Sequence, residues 1–207
     1  MKDFWNERYS EAKYVYGIKP NQFFREQLDP LEPGKIILPA EGEGRNAVYA
    51  AQKGWDVQAV DYSESGKEKA LKLASDKEVE INYDLSDLGK YEFGEEKYDA
   101  AAFIYVHLPR SIIKDVYKNV IRSLKPGAKI IVEVYSVNQI GRESGGPKDE
   151  RVLYTEEKLR DLLSGTNIEW MEEMEVELNE GKYHIGKAMV FRAVARKIYK
   201  QNFGFTA

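Results

Sequence analysis

The stretch Lys35-Ile36-Ile37-Leu38-Pro39-Ala40-Glu41-Gly42-Glu43-Gly44-Arg45-Asn46-Ala47-Val48 reads as a buried strand, a glycine turn and the start of a helix. The apolar run Lys35 to Pro39 follows the turn signal Glu32-Pro33-Gly34 and is too short for a helix. Ala47, Val48, Ala50 and Ala51 then recur at helical spacing as far as Gly54, a typical helix stop. Gly42 and Gly44 stand between the two elements, where missing side chains let backbone amides and a helix N-terminus approach a ligand. Trp55 to Asp61 is a second strand, and the acid that ends it can accept two hydrogen bonds from a ribose.

Working outward, the alternation of strand and helix continues. Ser63 to Ser75 carries Ala70, Leu71 and Ala74 as a helix, and Val79 to Tyr83 alternates as a third strand. Tyr98 to Tyr105 is an apolar fourth strand. From Ser111, the residues Ile112, Ile113, Val116, Tyr117, Val120, Ile121 and Leu124 form one helical stripe that Lys125-Pro126-Gly127 ends. Ile130 to Tyr135 is a fifth strand, rich in β-branched residues. Ser136 to Tyr154, with Gly141, Gly145, Gly146 and Pro147, reads as a long loop, after which Thr155 caps a further helix. Glu169 to Glu177 and Tyr183 to Lys197 are two strands joined by the turn Asn179-Glu180-Gly181-Lys182. The sum is an α/β chain with a Rossmann-like, doubly wound, mostly parallel seven-stranded sheet and a C-terminal antiparallel hairpin.

Composition narrows the function classes. A length of 207 residues with 43% hydrophobic residues supports one core, read as a single domain over 1–207, with an aromatic, helical lid at 1–30 and the α/β core at 31–207. The net charge of -4 offers no global field for a phosphate backbone, so nucleic acid is not the expected partner. Arg192, Arg196, Lys197 and Lys200 read as the solvated face of a strand. No cysteine occurs, and two histidines lie far apart, which excludes thiolate zinc sites and cysteine nucleophiles and leaves no metal site expected. The start Met1-Lys2-Asp3-Phe4-Trp5-Asn6-Glu7 is too polar for a signal peptide and no run is long enough to span a membrane, so a cytoplasmic monomer or homodimer is expected.

Gly42, Gly44 and Ala47 also satisfy the G-x-G-x-x-A form of the dinucleotide fingerprint, so a nicotinamide cofactor competes with S-adenosyl-L-methionine. Three features favour the latter. Glu41 and Glu43 would repel a pyrophosphate but suit a cationic sulfonium; the strands end in a hairpin, not a second mononucleotide half; and no residues remain for a separate substrate domain. The chain resembles class I S-adenosylmethionine-dependent methyltransferases, near the tellurite-resistance and thiopurine subgroup. The resemblance is carried by Phe4-Trp5-Asn6-Glu7-Arg8-Tyr9, Tyr16-Gly17, Glu41 to Ala47, Val60-Asp61, Asp84-Leu85, Tyr98-Asp99, Val106-His107-Leu108-Pro109, Leu124-Lys125-Pro126-Gly127 and Gly145-Gly146-Pro147.

That resemblance implies roles. Glu41, Gly42, Gly44 and Asn46 would hold the methionine part of the cofactor, Asp61 the ribose, and Tyr9 of the aromatic lid would help shield the sulfonium from water. Asp84 and the Leu85 amide would meet the adenine, with Tyr62 packed on its ring. His107, at the carboxyl edge of the sheet, is the candidate base and Tyr105 a candidate wall of the methyl channel; a backbone-bonded histidine and a core aromatic are the alternatives. His184 is read as structural. The acceptor would be a small molecule with a soft sulfur, selenium or tellurium nucleophile, or a small nitrogen or oxygen one. The acid usual within the first strand is Leu38 here, followed by Pro39 and by Ala40 in place of the first loop glycine. This departure keeps open a non-catalytic S-adenosylmethionine-binding protein; a nicotinamide-dependent oxidoreductase is the other alternative.

Overall fold

The computed structural model describes residues 2–199. The chain runs through α1 (Lys2–Tyr9), α2 (Gln22–Leu28), β1 (Lys35–Pro39), α3 (Arg45–Gln52), β2 (Asp56–Asp61), α4 (Glu64–Asp76), β3 (Asn82–Leu85), β4 (Tyr98–Ile104), α5 (Arg110–Ser123), β5 (Leu124–Tyr135), α6 (Glu156–Leu162), β6 (Thr166–Asn179) and β7 (Ile185–Lys197). The strands form one sheet in the order β3-β2-β1-β4-β5-β7-β6. The first five strands pair in parallel, while β7 is antiparallel to both β5 and β6. This is the expected doubly wound sheet with its closing hairpin.

β1 is central and covered on both faces, which is why its sequence is a continuous apolar run and not an alternating one. Ile36 and Leu38 face a core shared with Phe23, Phe24, Ala47 and Ala70 from α2, α3 and α4. Ile37 points the other way, into the core that Ile113, Val116, Tyr117 and Val120 of α5 build with Leu159 and Leu162 of α6. β6 lies at one edge of the sheet and carries Glu169, Glu172, Glu173, Glu175 and Glu177. No helix among the described residues is long and apolar enough to cross a membrane.

Two local expectations are corrected. The third strand is Asn82–Leu85, displaced toward the C-terminus from Val79–Tyr83. Glu78 takes a left-handed φ of 57° and the Val79 amide donates to the Ala74 carbonyl, so Val79 closes the end of α4 instead of pairing. Val79 and Ile81 pack beside Leu73 and Ala74, which explains their apolar character without a strand. The basic residues near the C-terminus are only in part a solvated face: Arg196 and its partner Glu169 are exposed, whereas Arg192 pairs with buried Glu133 and Lys197 donates to the Arg122 and Leu124 carbonyls. Lys200 lies outside the described residues.

Candidate active site

The carboxyl ends of β1, β2, β4 and β5 bring the candidate residues to one edge of the sheet, where doubly wound folds take ligands. Past β1, Ala40, Gly42 and Gly44 adopt left-handed φ values of 55°, 61° and 84°. The chain therefore turns sharply into α3, with Gly44 at its N-cap. Glu41 stabilises the turn, one carboxylate oxygen accepting from the Asn46 and Ala47 amides at 2.9 and 2.7 Å. Burial lifts its pKa to about 7 against those two bonds.

Asp61 ends β2 beside this turn. Its two oxygens accept from the Gly42 and Ser63 amides at 3.1 and 2.9 Å. The residue is 4% exposed, and burial raises its pKa to about 6 despite the amide bonds. Each oxygen has further lone-pair capacity. Leu85 is Asp61's neighbour across the parallel pairing and is 43% exposed, and Tyr62 is half-buried beside it. The Asp84 side chain is exposed and receives the Gln58 amide and the Tyr91 hydroxyl. Asp61, Tyr62, Asp84 and Leu85 thus border the open flank of the turn.

The other flank is covered by the leading segment. A Cβ on Gly42 would lie 2.5 Å from the Tyr9 hydroxyl, so the missing side chain makes room for Tyr9. Gly44 is held against α4, where a Cβ would meet that of Ala70 at 2.5 Å. Asn6 anchors α1 by accepting from the Ser63 hydroxyl and the Glu64 amide at the start of α4. Glu43, expected at the mouth of the loop as a partner for a cation, turns instead to the leading segment. It accepts from the Val15 and Tyr16 amides and pairs with Lys69 at 2.6 Å. Asn46 likewise accepts from the Asn21 amide at 2.9 Å.

Beyond β4 and β5 lies a buried polar network. Glu133, 0% exposed, accepts from the Tyr105 hydroxyl and the Asn21 amide group, each at 2.6 Å, and from Arg192. Glu180, in the β6–β7 turn, binds Arg45 at 2.9 Å and His184 at 3.2 Å. Burial opposes its ionisation, but these two cationic or hydrogen-bonding neighbours hold its pKa near 2. The expectation of a base at His107 is not supported by this geometry. Its Nδ1 meets the Val152 carbonyl at 3.0 Å and its Nε2 accepts from the Tyr135 amide at 3.3 Å. Burial moves its pKa down to about 4, so both nitrogens of a neutral ring are engaged. Tyr105 stands at a left-handed φ of 55° with its ring stacked 4.8 Å from Tyr135.

Sequence reasoning missed Asn21, Arg45, Glu133, Tyr135 and Glu180 as members of this region. Glu133 left a trace: a lone charge inside the apolar run Ile130 to Val134 must be paired to be buried. The others meet only through long-range contacts.

Residues 39–127 match the family described as Methyltransferase domain. Hemagglutinin 1 of Eikenella corrodens is 25% identical over 105 residues, which is 50% of this chain and 35% of that protein, so the match takes in well under half of the relative. The structure of TehB from Haemophilus influenzae superposes with a TM-score of 0.71 at 18% identity, over 95% of this chain and 66% of that one. A S-adenosylmethionine-dependent methyltransferase from Clostridium acetobutylicum superposes with a TM-score of 0.67 at 14% identity, over 95% and 97% of the two chains. The chain therefore has the fold of class I methyltransferases, and its residues 39–127 match the methyltransferase domain model. Such a domain implies S-adenosylmethionine as cofactor.

Proposed function

We propose that this protein transfers a methyl group from S-adenosylmethionine to a small-molecule acceptor. The observation that carries the reading is Asp61, a buried carboxylate that fixes the Gly42 amide and keeps lone pairs for two further donors. The donor set fits the adenosine end of the cofactor. Asp61 would hold the ribose hydroxyls, with Asp84, Leu85 and Tyr62 on the adenine side, and Gly42, Gly44, Glu41, Asn46 and Tyr9 toward the methionine. Bound there, the cofactor would supply an electrophilic methyl carbon. The chain's own contribution is orientation and exclusion of water, the latter from Trp5, Tyr9 and Tyr16, whose rings lie within 6.4 Å of one another. With both of its nitrogens bonded, His107 is not available to take a proton from the acceptor. Membership of the tellurite-resistance and thiopurine subgroup is part of this proposal, supported by the likeness of fold to TehB.

Calorimetry with S-adenosylhomocysteine tests the reading. Micromolar binding is expected, weakened at least tenfold, about 1.4 kcal/mol, by Asp61→Ala. Absence of binding, or binding of NADH in its place, overturns it. A second reading, binding without turnover, is favoured by Leu38, which is buried in the core where an acid is usual. Turnover of labelled cofactor on any acceptor in a metabolite panel would exclude it.

A further inference from the structure

His184 immediately precedes β7, with its Nδ1 at 3.2 Å from a Glu180 carboxylate oxygen. Glu180 also takes the Arg45 guanidinium at 2.9 Å and the Asn21 amide group at 3.2 Å. Against the effect of burial, the His184 and Arg45 contacts hold its pKa at about 2, so it is ionised. An ionised carboxylate only accepts, so Nδ1 carries the ring proton and Nε2 of the neutral ring is a bare lone pair. Burial keeps the ring in that neutral form, lowering its pKa against the pull of Glu180. Unlike either nitrogen of His107, Nε2 of His184 has no hydrogen-bond partner among the described residues. Nor is it sealed away: the Tyr135 hydroxyl is the only unpartnered side-chain nitrogen or oxygen among them that solvent does not reach.

The ring stands at the carboxyl edge of the sheet. Its centroid lies 4.6 Å from that of Tyr105, just past β4, 5.6 Å from Tyr135 at the end of β5 and 4.5 Å from Tyr16. Tyr16 in turn lies 6.4 Å from Tyr9, which covers Gly42. Arg45, the residue after Gly44, ties the glycine turn to Glu180, and the Glu180 amide donates to the His184 carbonyl at 2.8 Å. Gly181 lets this turn close on the leading segment, since a Cβ there would lie 2.5 Å from the Val15 carbonyl oxygen. The charged groups facing the ring are Glu180, Arg45 and Arg8, with Glu133 beyond the Tyr105 hydroxyl.

We infer that Nε2 of His184 is the base that takes the acceptor's proton during methyl transfer, with Glu180 as the positioning residue that fixes its tautomer. This rests on the methyltransferase reading above and adds the destination of the proton. The acceptor bonds to the methyl carbon with a lone pair, the carbon–sulfur bond breaks with its pair going to sulfur, and the acceptor's hydrogen passes as a proton to Nε2. The imidazolium so formed lies against the Glu180 carboxylate, which offsets its charge.

Diethyl pyrocarbonate, which acylates an accessible unprotonated imidazole nitrogen, gives a readout that needs no acceptor. Peptide mass mapping should find His184 modified much faster than His107. For transfer, labelled cofactor is presented with phenol, ethanolamine and 2-mercaptoethanol, each with a proton to lose, and with iodide, which has none. In His184→Asn the amide nitrogen still reaches Glu180 but the Nε2 lone pair is gone. Turnover of the proton-bearing acceptors relative to iodide should then fall about a hundredfold, with the deficit closing as alkaline pH ionises the acceptor. Adenosylhomocysteine affinity should hold. Equal modification of the two histidines, an unaltered ratio, or a parallel loss on iodide overturns the inference. So does a wild-type protein that methylates iodide alone, a result that leaves the methyltransferase reading standing. No turnover on any of the four overturns both.

Discussion

Asp61 and Glu41 share a predicament: each carboxyl is buried beside main-chain amides, and burial wins, raising the pKa to about 6 and about 7. For Asp61 the consequence concerns ligand binding. Ribose hydroxyls donate to the ionised form, so the complex favours deprotonation, and adenosylhomocysteine affinity should fall as pH drops below about 6, by up to about tenfold per unit. Calorimetry across pH should find that slope in the wild type and not in Asp61→Asn. For Glu41 the consequence is stability. Between its ordinary value of 4.5 and about 7 the folded chain holds a proton that the unfolded chain has released. Its own contribution to stability should therefore decline as pH rises through that window, by about 3 kcal/mol in all. Urea unfolding across pH should show the stability difference between Glu41→Gln and the wild type growing by that amount through the window, because the amide oxygen still accepts from Asn46 and Ala47 but does not titrate. At Glu133 the pairing is the point. Glu133→Ala strands Arg192, Asn21 and the Tyr105 hydroxyl together, and the same assay should register a loss of about 3 kcal/mol.

Among the elements, those that were legible carry their signal locally. β1 is a continuous apolar run, β5 from Ile130 onward is one interrupted only by Glu133, α5 shows one stripe, and Ser63 caps α4 by accepting from the Gly66 amide. β3 misled because Val79 and Ile81 mimic strand alternation while finishing a helix. The site divides the same way. The glycine turn and Asp61 are neighbours in a short motif and could be read. The bonds of Asn21 to Glu133 and Glu180, and of Arg45 to Glu180, join residues more than a hundred positions apart and leave no spacing to recognise. Glycines separate on this scale too. Gly44→Ala combines left-handed φ with a Cβ overlapping Ala70, whereas Gly141→Ala has the same φ class and open space around it. The first should cost more than 2 kcal/mol and the second about 1 kcal/mol, compared by thermal unfolding.

Across the whole molecule, the leading segment ties the glycine turn to the hairpin. Glu43 holds the Val15 and Tyr16 amides, the Lys182 amide donates to the Val15 carbonyl, and Glu11 binds Lys182 and Tyr183. Glu43→Ala should therefore release hydrogen-exchange protection at Val15, Tyr16 and Lys182 together, although Lys182 lies in a different part of the sequence. A different consequence attaches to β6. An outermost strand of this length presents unpaired backbone groups that a second copy could zip onto, the first step toward aggregation. Its five glutamates make each such encounter a meeting of like charges. The strand that completes the sheet is thus also the one that keeps the sheet from growing.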